Sequence, residues 1–299
     1  MNTQFQSWLA KLPAPHLVNK AVRRRFGMLP FNMEHAVAKG LKPFEQAPTK
    51  VSITSSLPTS VSLDPFGPKQ HYDQGQHGSC GGHGTCGALA TVLRHLGAIK
   101  PTDPDPSPRS CYALLRSLMG MAGQLSDSGI DSSVVMDAVE KWGWEFMGAL
   151  VQDGVDPTPR YSDCGDTNIN VDLVVEDFES SIPKVVTGLY LISATDITTR
   201  LNQICTALAH NWPVMHGQPC GDSYEAAFTN GTPVPAQNLD DPNTGGHWTY
   251  TRGYRTVNGV VIPRDGNSWG DTGGLNGDID STPNFVSQWD TLIVLQVGA

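Results

Sequence analysis

Hydrophobic positions recur at helical spacing through the middle of this chain and give way to β-rich runs towards its end. In SCGGHGTCGALATVLRHLG, from Ser79, the residues Cys86, Leu89, Ala90, Leu93 and Leu96 form an apolar stripe. Ser79 stands where an N-cap belongs and Gly97 where a helix stops, so the spacing predicts a helix with Cys80 in its first turn. SGIDSSVVMDAVEKWG predicts a second, capped by Asp131 or Ser132, with Val135, Ala138, Val139 and Trp142 on one face and Gly143 at its end. DITTRLNQICTALAHN predicts a third from Ile197 to His210, and WPVMHG a short strand after it. From His247 onward, HWTYTRGY, NGVVIPRD and DTLIVLQV read as strands between Gly, Asn and Asp turns. Helices first and strands later predict an α+β protein whose halves form separate layers or lobes. Upstream, KPFEQAPTKVSITSSLPTSVSLDPFGPKQHYDQG is rich in Pro, Ser and Thr and reads as an extended connector, which sets a boundary near residue 55.

Composition narrows the class. A chain of 299 residues, 39% hydrophobic, buries enough core for one large domain or two lobes sharing an interface. No run of eighteen apolar residues occurs and the first residues lack the order of a secretion signal, so no membrane span is predicted and a cytoplasmic or virion-associated location is expected. Six cysteines, at 80, 86, 111, 164, 205 and 220, are too sparse for a disulfide scaffold. Residues 1–50 carry eight Lys or Arg against two Glu, a net of +6, and the remainder sums to −15. The cluster NKAVRRRFGM is therefore a solvated basic helix, or docks on the chain's own body or on an anionic partner. Three arginines without interleaved aromatics or a binding module make nucleic acid an unexpected partner.

The stretch DQGQHGSCGGHGTCGAL spaces His77, Cys80, His83 and Cys86 three residues apart. Zinc needs four ligands converging on one point, but three-residue steps around a helix turn by about 300° each, so these four do not converge once the segment is helical. No metal is expected, and Cys86 reads as a small buried residue. A thiol nucleophile explains more: Cys80 in a first turn lies near unpaired backbone N–H groups and the positive end of the helix dipole, which favour thiolate. Glycines at 81, 82 and 84 let another backbone or a substrate approach. A base is available in TGGHWTYTRGYRTVNGVVIPRDGNSWGDTGGLNG, where a strand, a turn and a return strand bring Asn267 beside His247. The amide oxygen then accepts one imidazole N–H and leaves the other nitrogen for a thiol.

In these three places the sequence resembles the papain-like cysteine peptidases. DQGQHGSCGG is similar to the family's D-Q-G-x-C-G-S-C-W, GGHWTYTRGY to its G-H-A-x-x-x-V-G-Y, and GNSWGDTGGLNG to its N-S-W-G-x-x-W-G-x-x-G, in the same order; with LPTSVSLDPFGPKQHYDQG the likeness covers roughly residues 55–299. His247 and Asn267 lie 167 and 187 residues beyond Cys80, against about 130–150 in the family, which implies a longer insertion between lobes. His77 stands where the eukaryotic pattern has a disulfide cysteine and Gly81 where it has Trp, departures that resemble bacterial and viral members.

The resemblance implies a two-lobed α+β fold, with an N-terminal helical lobe whose central helix starts at Cys80, a C-terminal β-rich, barrel-like lobe, and a cleft between them. It implies Cys80 as nucleophile, Gln74 and the Cys80 N–H as oxyanion donors, His247 after Gly246 as general base and acid, Asn267 as its orienting partner, and Trp269 as the indole that shields their bond. A cysteine endopeptidase of peptide or protein substrates follows, with no cofactor; the alternative is a non-catalytic or incidentally active assembly protein, such as a virion component, that keeps the fold. Residues 1–54 form a basic extension without the spaced Glu, Arg, Phe and Asn of family propeptides, so a propeptide-like inhibitor and an anchor on a protein partner both stand.

Overall fold

A computed structural model describes residues 28–29, 31–48, 57–120, 129–137 and 186–297. In chain order the elements are β1 (Met28–Leu29), α1 (Met33–Ala38), β2 (Lys42–Pro43), β3 (Ser60–Ser62), α2 (Cys80–His95), α3 (Pro108–Leu118), β4 (Ile130–Asp131), α4 (Val135–Asp137) and β5 (Val186–Ile192). They continue with α5 (Ile197–Ala209), β6 (Val214–Cys220), α6 (Asp222–Asn230), β7 (Gly245–Val257), β8 (Val260–Gly266), β9 (Asp278–Asp280), α7 (Pro283–Val286) and β10 (Asp290–Val297). None of the described helices is long and apolar enough to cross a membrane.

The helix predicted after Ser79 is α2, ended as its sequence foretells. Gly97 takes φ +67°, its N–H bonds the Arg94 carbonyl, and the Ala98 N–H bonds the Leu93 carbonyl, which satisfies the last carbonyls in a Schellman arrangement. Two details differ. Ser79 occupies the cap position, but its side chain makes no capping bond; its carbonyl instead accepts from the backbone N–H and the ring of His83. The one-sided stripe is also corrected: every α2 residue but His95 is buried, and Leu96, placed on the stripe, follows the helix and is exposed. The cause is enclosure from two sides. A Cβ on Gly82 would stand 2.6 Å from the Pro108 carbonyl oxygen of α3, and one on Gly84 would stand 3.1 Å from the Trp248 carbonyl oxygen of β7. These glycines admit protein, not substrate.

The strands join in an eight-stranded mixed sheet ordered β2-β5-β10-β6-β7-β8-β9, with β3 paired to β7 and only β2–β5 parallel. The expected barrel-like closure is corrected, because the order runs out at the two- and three-residue strands β2 and β9, and no ladder joins them among the described residues. Separation of helices and strands is incomplete as well. β2 and β3 come from the stretch read as an extended connector, and β5 and β9 carry no sequence signal of their own. The predicted third helix is α5, capped by Asp196, whose carboxylate accepts from the Thr199 N–H at 2.8 Å. Asp131 caps a 3₁₀ turn that leads into α4, while Ala138, Val139, Trp142 and Gly143 of the second prediction lie outside the described residues.

Residues 28–47 share the body's core. Met28, Phe31, Ala36, Leu41 and Phe44 are buried in it, β1 pairs with β4, and β2 with β5.

Candidate active site

The hairpin of β7 and β8 sets the geometry. Its register pairs Tyr250 with Gly266, so the chain leaving β8 returns beside the start of β7, where His247 is the third residue. His247 Nε2 and Asn267 Oδ1 are 2.9 Å apart, and both residues are buried. The same Oδ1 accepts from the Ser268 N–H at 2.8 Å, which identifies it as oxygen and makes Nε2 of His247 the donor. Neutral His247 therefore keeps an acceptor at Nδ1. Trp269 lies against this pair, its ring 5.3 Å from the imidazole at 32°.

Gln74 is brought to the same place by backbone stitching. Asp73 bridges to Trp269, the Gln74 N–H bonds the Ser268 carbonyl, and the Gly270 N–H bonds the Tyr72 carbonyl. The Gln74 side chain is held at both ends: Oε1 accepts from Ser268 Oγ at 2.5 Å, and Nε2 donates to the His77 carbonyl at 2.7 Å. One N–H of that amide is used there, and an NH₂ group has a second. Cys80 follows six residues on, as the first residue of α2, buried. Gly246 pairs with Pro219 across the β6–β7 ladder.

The second half of the site was not visible in the sequence. Tyr224 of α6, wholly buried, sets its ring at right angles to both His247, at 5.8 Å, and Trp269, at 5.2 Å. Its hydroxyl accepts from Gln218 Nε2 at 3.0 Å, and Gln218 is the register partner of His247. Burial holds the Tyr224 hydroxyl well above its usual pKa, so it remains a phenol. No motif marked this helix. Ser268, by contrast, lies inside the quoted GNSWG and was readable there.

Electrostatics separate the thiols. Burial and a hydrogen bond with Cys111 push the Cys86 thiol up, and burial pushes Cys205 up to about 12. His83, between Cys80 and Cys86 in sequence, is held down to about 4 by burial while its Nδ1 lies 2.8 Å from the Ser79 carbonyl. It is a neutral structural donor. Among the described residues no group of three or more His, Cys, Asp or Glu side chains converges as metal ligands would.

A roof covers the site's two glycine flanks. Ile130 of β4 fills the space over Gly81, next to Cys80, and Met28 of β1 fills the space over Gly217, whose β7 register partner is Trp248, next to His247. Met28 and Ile130 are themselves partners in the β1–β4 ladder.

No family model matches the sequence, and neither does any curated protein. Among solved structures the chain is similar to xylellain, a cysteine protease from Xylella fastidiosa, with a TM-score of 0.70 at 21% identity over 93% of this chain and 98% of that one. It is also similar to digestive procathepsin L 3 of Tenebrio molitor larval midgut, at 0.57 and 19% over 88% and 77%. Bromelain from Ananas comosus, solved with the E64 inhibitor, gives 0.53 and 12% over 81% and 100%. These likenesses show the papain-like fold.

Proposed function

We propose that this chain, on its papain-like fold, is a cysteine endopeptidase acting on peptide or protein substrates. The observation that carries the reading is the His247–Asn267 bond, with its donor direction fixed by Ser268, on the fold whose helix α2 begins at Cys80. In this reading the Cys80 thiolate attacks the scissile carbonyl carbon, and negative charge collects on its oxygen. The Gln74 side-chain amide and the backbone N–H of Cys80 receive that charge. His247, protonated at Nδ1, gives the proton to the leaving amine as the C–N bond breaks. It then takes one from water, which attacks the thioester and releases the acid and the Cys80 thiolate, so that the thiolate and protonated His247 are restored. Asn267 holds the imidazole in the tautomer this requires, and Trp269 keeps water from the bond.

Residues 1–54 are proposed as an N-terminal extension and 55–299 as the peptidase domain. Burial of Met28, Phe31 and Phe44 against the chain's own body supports an intramolecular role for the described part of the extension over an anchor on another protein.

Incubation with iodoacetamide at mildly acidic pH, followed by peptide mapping, tests the reading. One thiol should react far faster than the other five, at Cys80, and Cys80→Ala should abolish hydrolysis of a fluorogenic peptide. Dominant labelling of Cys86 would overturn the register of the motif, and slow and equal labelling of all six would favour the assembly-protein alternative.

A further inference from the structure

Far along β7 from His247, four strands present one polar row. Ser62 of β3 pairs with Gly253 of β7, Gly253 with Arg264 of β8, and Arg264 with Asp280 of β9, while Ser60 pairs with Arg255 one step along the same face. Glycine leaves a gap in the middle of the row, and the gap cannot be filled: a Cβ on Gly253 would stand 2.8 Å from the Val61 carbonyl oxygen. A cavity of about 180 Å³ opens over it, lined by Ser60, Ser62, Asp64, Arg255 and Arg264 among others.

Two cations of this hollow share one carboxylate. Arg255 Nη1 and Arg264 Nε both donate to Asp280, a single buried carboxylate, whereas the two arginine side chains are 42% and 31% exposed. Their remaining N–H groups make no hydrogen bond among the described residues. Asp64 is paired at 3.2 Å with Arg252, a guanidinium it shares with Asp278, and it can accept from a hydroxyl of a ligand. Val257 and Val260, 43% and 44% exposed and paired at the hairpin tip, continue the Arg255 face as an apolar rim.

We propose that this hollow binds a phosphate monoester with an apolar organic portion. The oxyanion sits between the free guanidinium edges of Arg255 and Arg264 and the hydroxyls of Ser60 and Ser62, and the organic portion lies along Val257 and Val260. Planar guanidinium forks match an oxyanion in two bonds at once, and a glycine floor lets it approach the sheet. Arg255 is eight residues beyond His247 on the same strand, roughly 26 Å at 3.3 Å per residue, so the site stands apart from the proposed peptidase centre and does not depend on that reading.

Calorimetric titration of the full chain with inorganic phosphate and with phenyl phosphate tests it. Both should bind with saturation at one site per chain, phenyl phosphate the tighter. Arg255→Gln leaves Asp280 paired with Arg264 and should weaken both by about tenfold or more, a loss of about 1.4 kcal/mol. Ser60→Ala with Ser62→Ala, two exposed positions where folding is not at stake, should weaken both severalfold. Equal affinity for the two probes would overturn the apolar portion. Absence of saturable binding, or binding that neither variant changes, would overturn the site.

Discussion

At Gln74 the structure shows how a side-chain amide is aimed. Ser268 Oγ holds Oε1, so the nitrogen end faces the His77 carbonyl. Gln74→Ala should leave iodoacetamide labelling of Cys80 intact while slowing turnover by roughly 10²-fold, the range for loss of one oxyanion donor; unchanged turnover would remove Gln74 from the mechanism. His83 supports a second expectation, this time in stability. Burial keeps it neutral down to about pH 4, whereas an unfolded histidine takes its proton near pH 6.5. Between those values the unfolded chain binds more protons than the folded one. Stability is thus full above pH 6.5 and falls as pH drops through this window, by about 3 kcal/mol at most from His83. His71, held down to about 4 by burial and by Arg252, adds in the same direction. Thermal unfolding of Cys80→Ala protein, a variant chosen to remove the proposed activity, should show the midpoint falling from pH 6.5 to 4, and His83→Gln should flatten that slope. Most residues of the candidate site were readable because their chemistry is carried by short contiguous motifs: Cys80, Gln74, His247, Asn267 and Trp269 each lie in one. Tyr224 and Gln218 were not, since a buried aromatic on a short helix has no local signature that separates a support for His247 from ordinary core.

Helix α2 is an element whose glycines work against its own propensity. Alanine at 82 is worth up to about 1 kcal/mol more than glycine in a helix interior. The contact at that position is a backbone carbonyl of α3, which cannot swing aside as a side chain would. Overfilling a tight interior costs about 1–3 kcal/mol, so Gly82→Ala should destabilise the protein, read as a lower urea midpoint at unchanged slope. A higher midpoint would show that α3 yields. This element also shows why periodicity misled on its face. A stripe of Cys86, Leu89, Ala90 and Leu93 marks one buried side correctly, but glycines carry no hydrophobic signal, and the side they form is buried too. The β7–β8 hairpin was legible because its turn residues, Asn258 and Gly259, both take positive φ, at 50° and 80°, as a two-residue hairpin turn asks. Strand β2, two residues long, had no pattern to show.

Across the whole molecule the extension and the body are harder to separate than composition suggested. The Pro, Ser and Thr content between the extension and Cys80 reads as a surface connector, yet β1 and β2 pair with β4 and β5, partners roughly 100 and 150 residues away in sequence. Pairings of that separation leave no trace in a local window. They also decide the experiment. Removing residues 1–54 takes away five buried apolar side chains, from Met28 to Phe44, each worth about 1.5–3 kcal/mol when large and fully buried. The shortened chain therefore reports on stability as much as on access to the site. Met28→Ala is the finer probe: it opens the space over Gly217 and leaves β2 in place. Hydrolysis of a fluorogenic peptide, at equal thiol titre, should rise by about tenfold if Met28 competes with substrate to the extent of about 1.4 kcal/mol. An unchanged rate would return the extension to the anchor reading.

Strand β10, 290–297, lies in the middle of the sheet between β5 and β6. During synthesis, then, the sheet that carries His247 has its centre delivered after both its flanks. Until β10 leaves the ribosome, β6 lacks its partner on that side, and the ladder from β6 to β7 that positions His247 stands at an open edge. The activity proposed for this chain would therefore be withheld from a growing chain until β10 has docked.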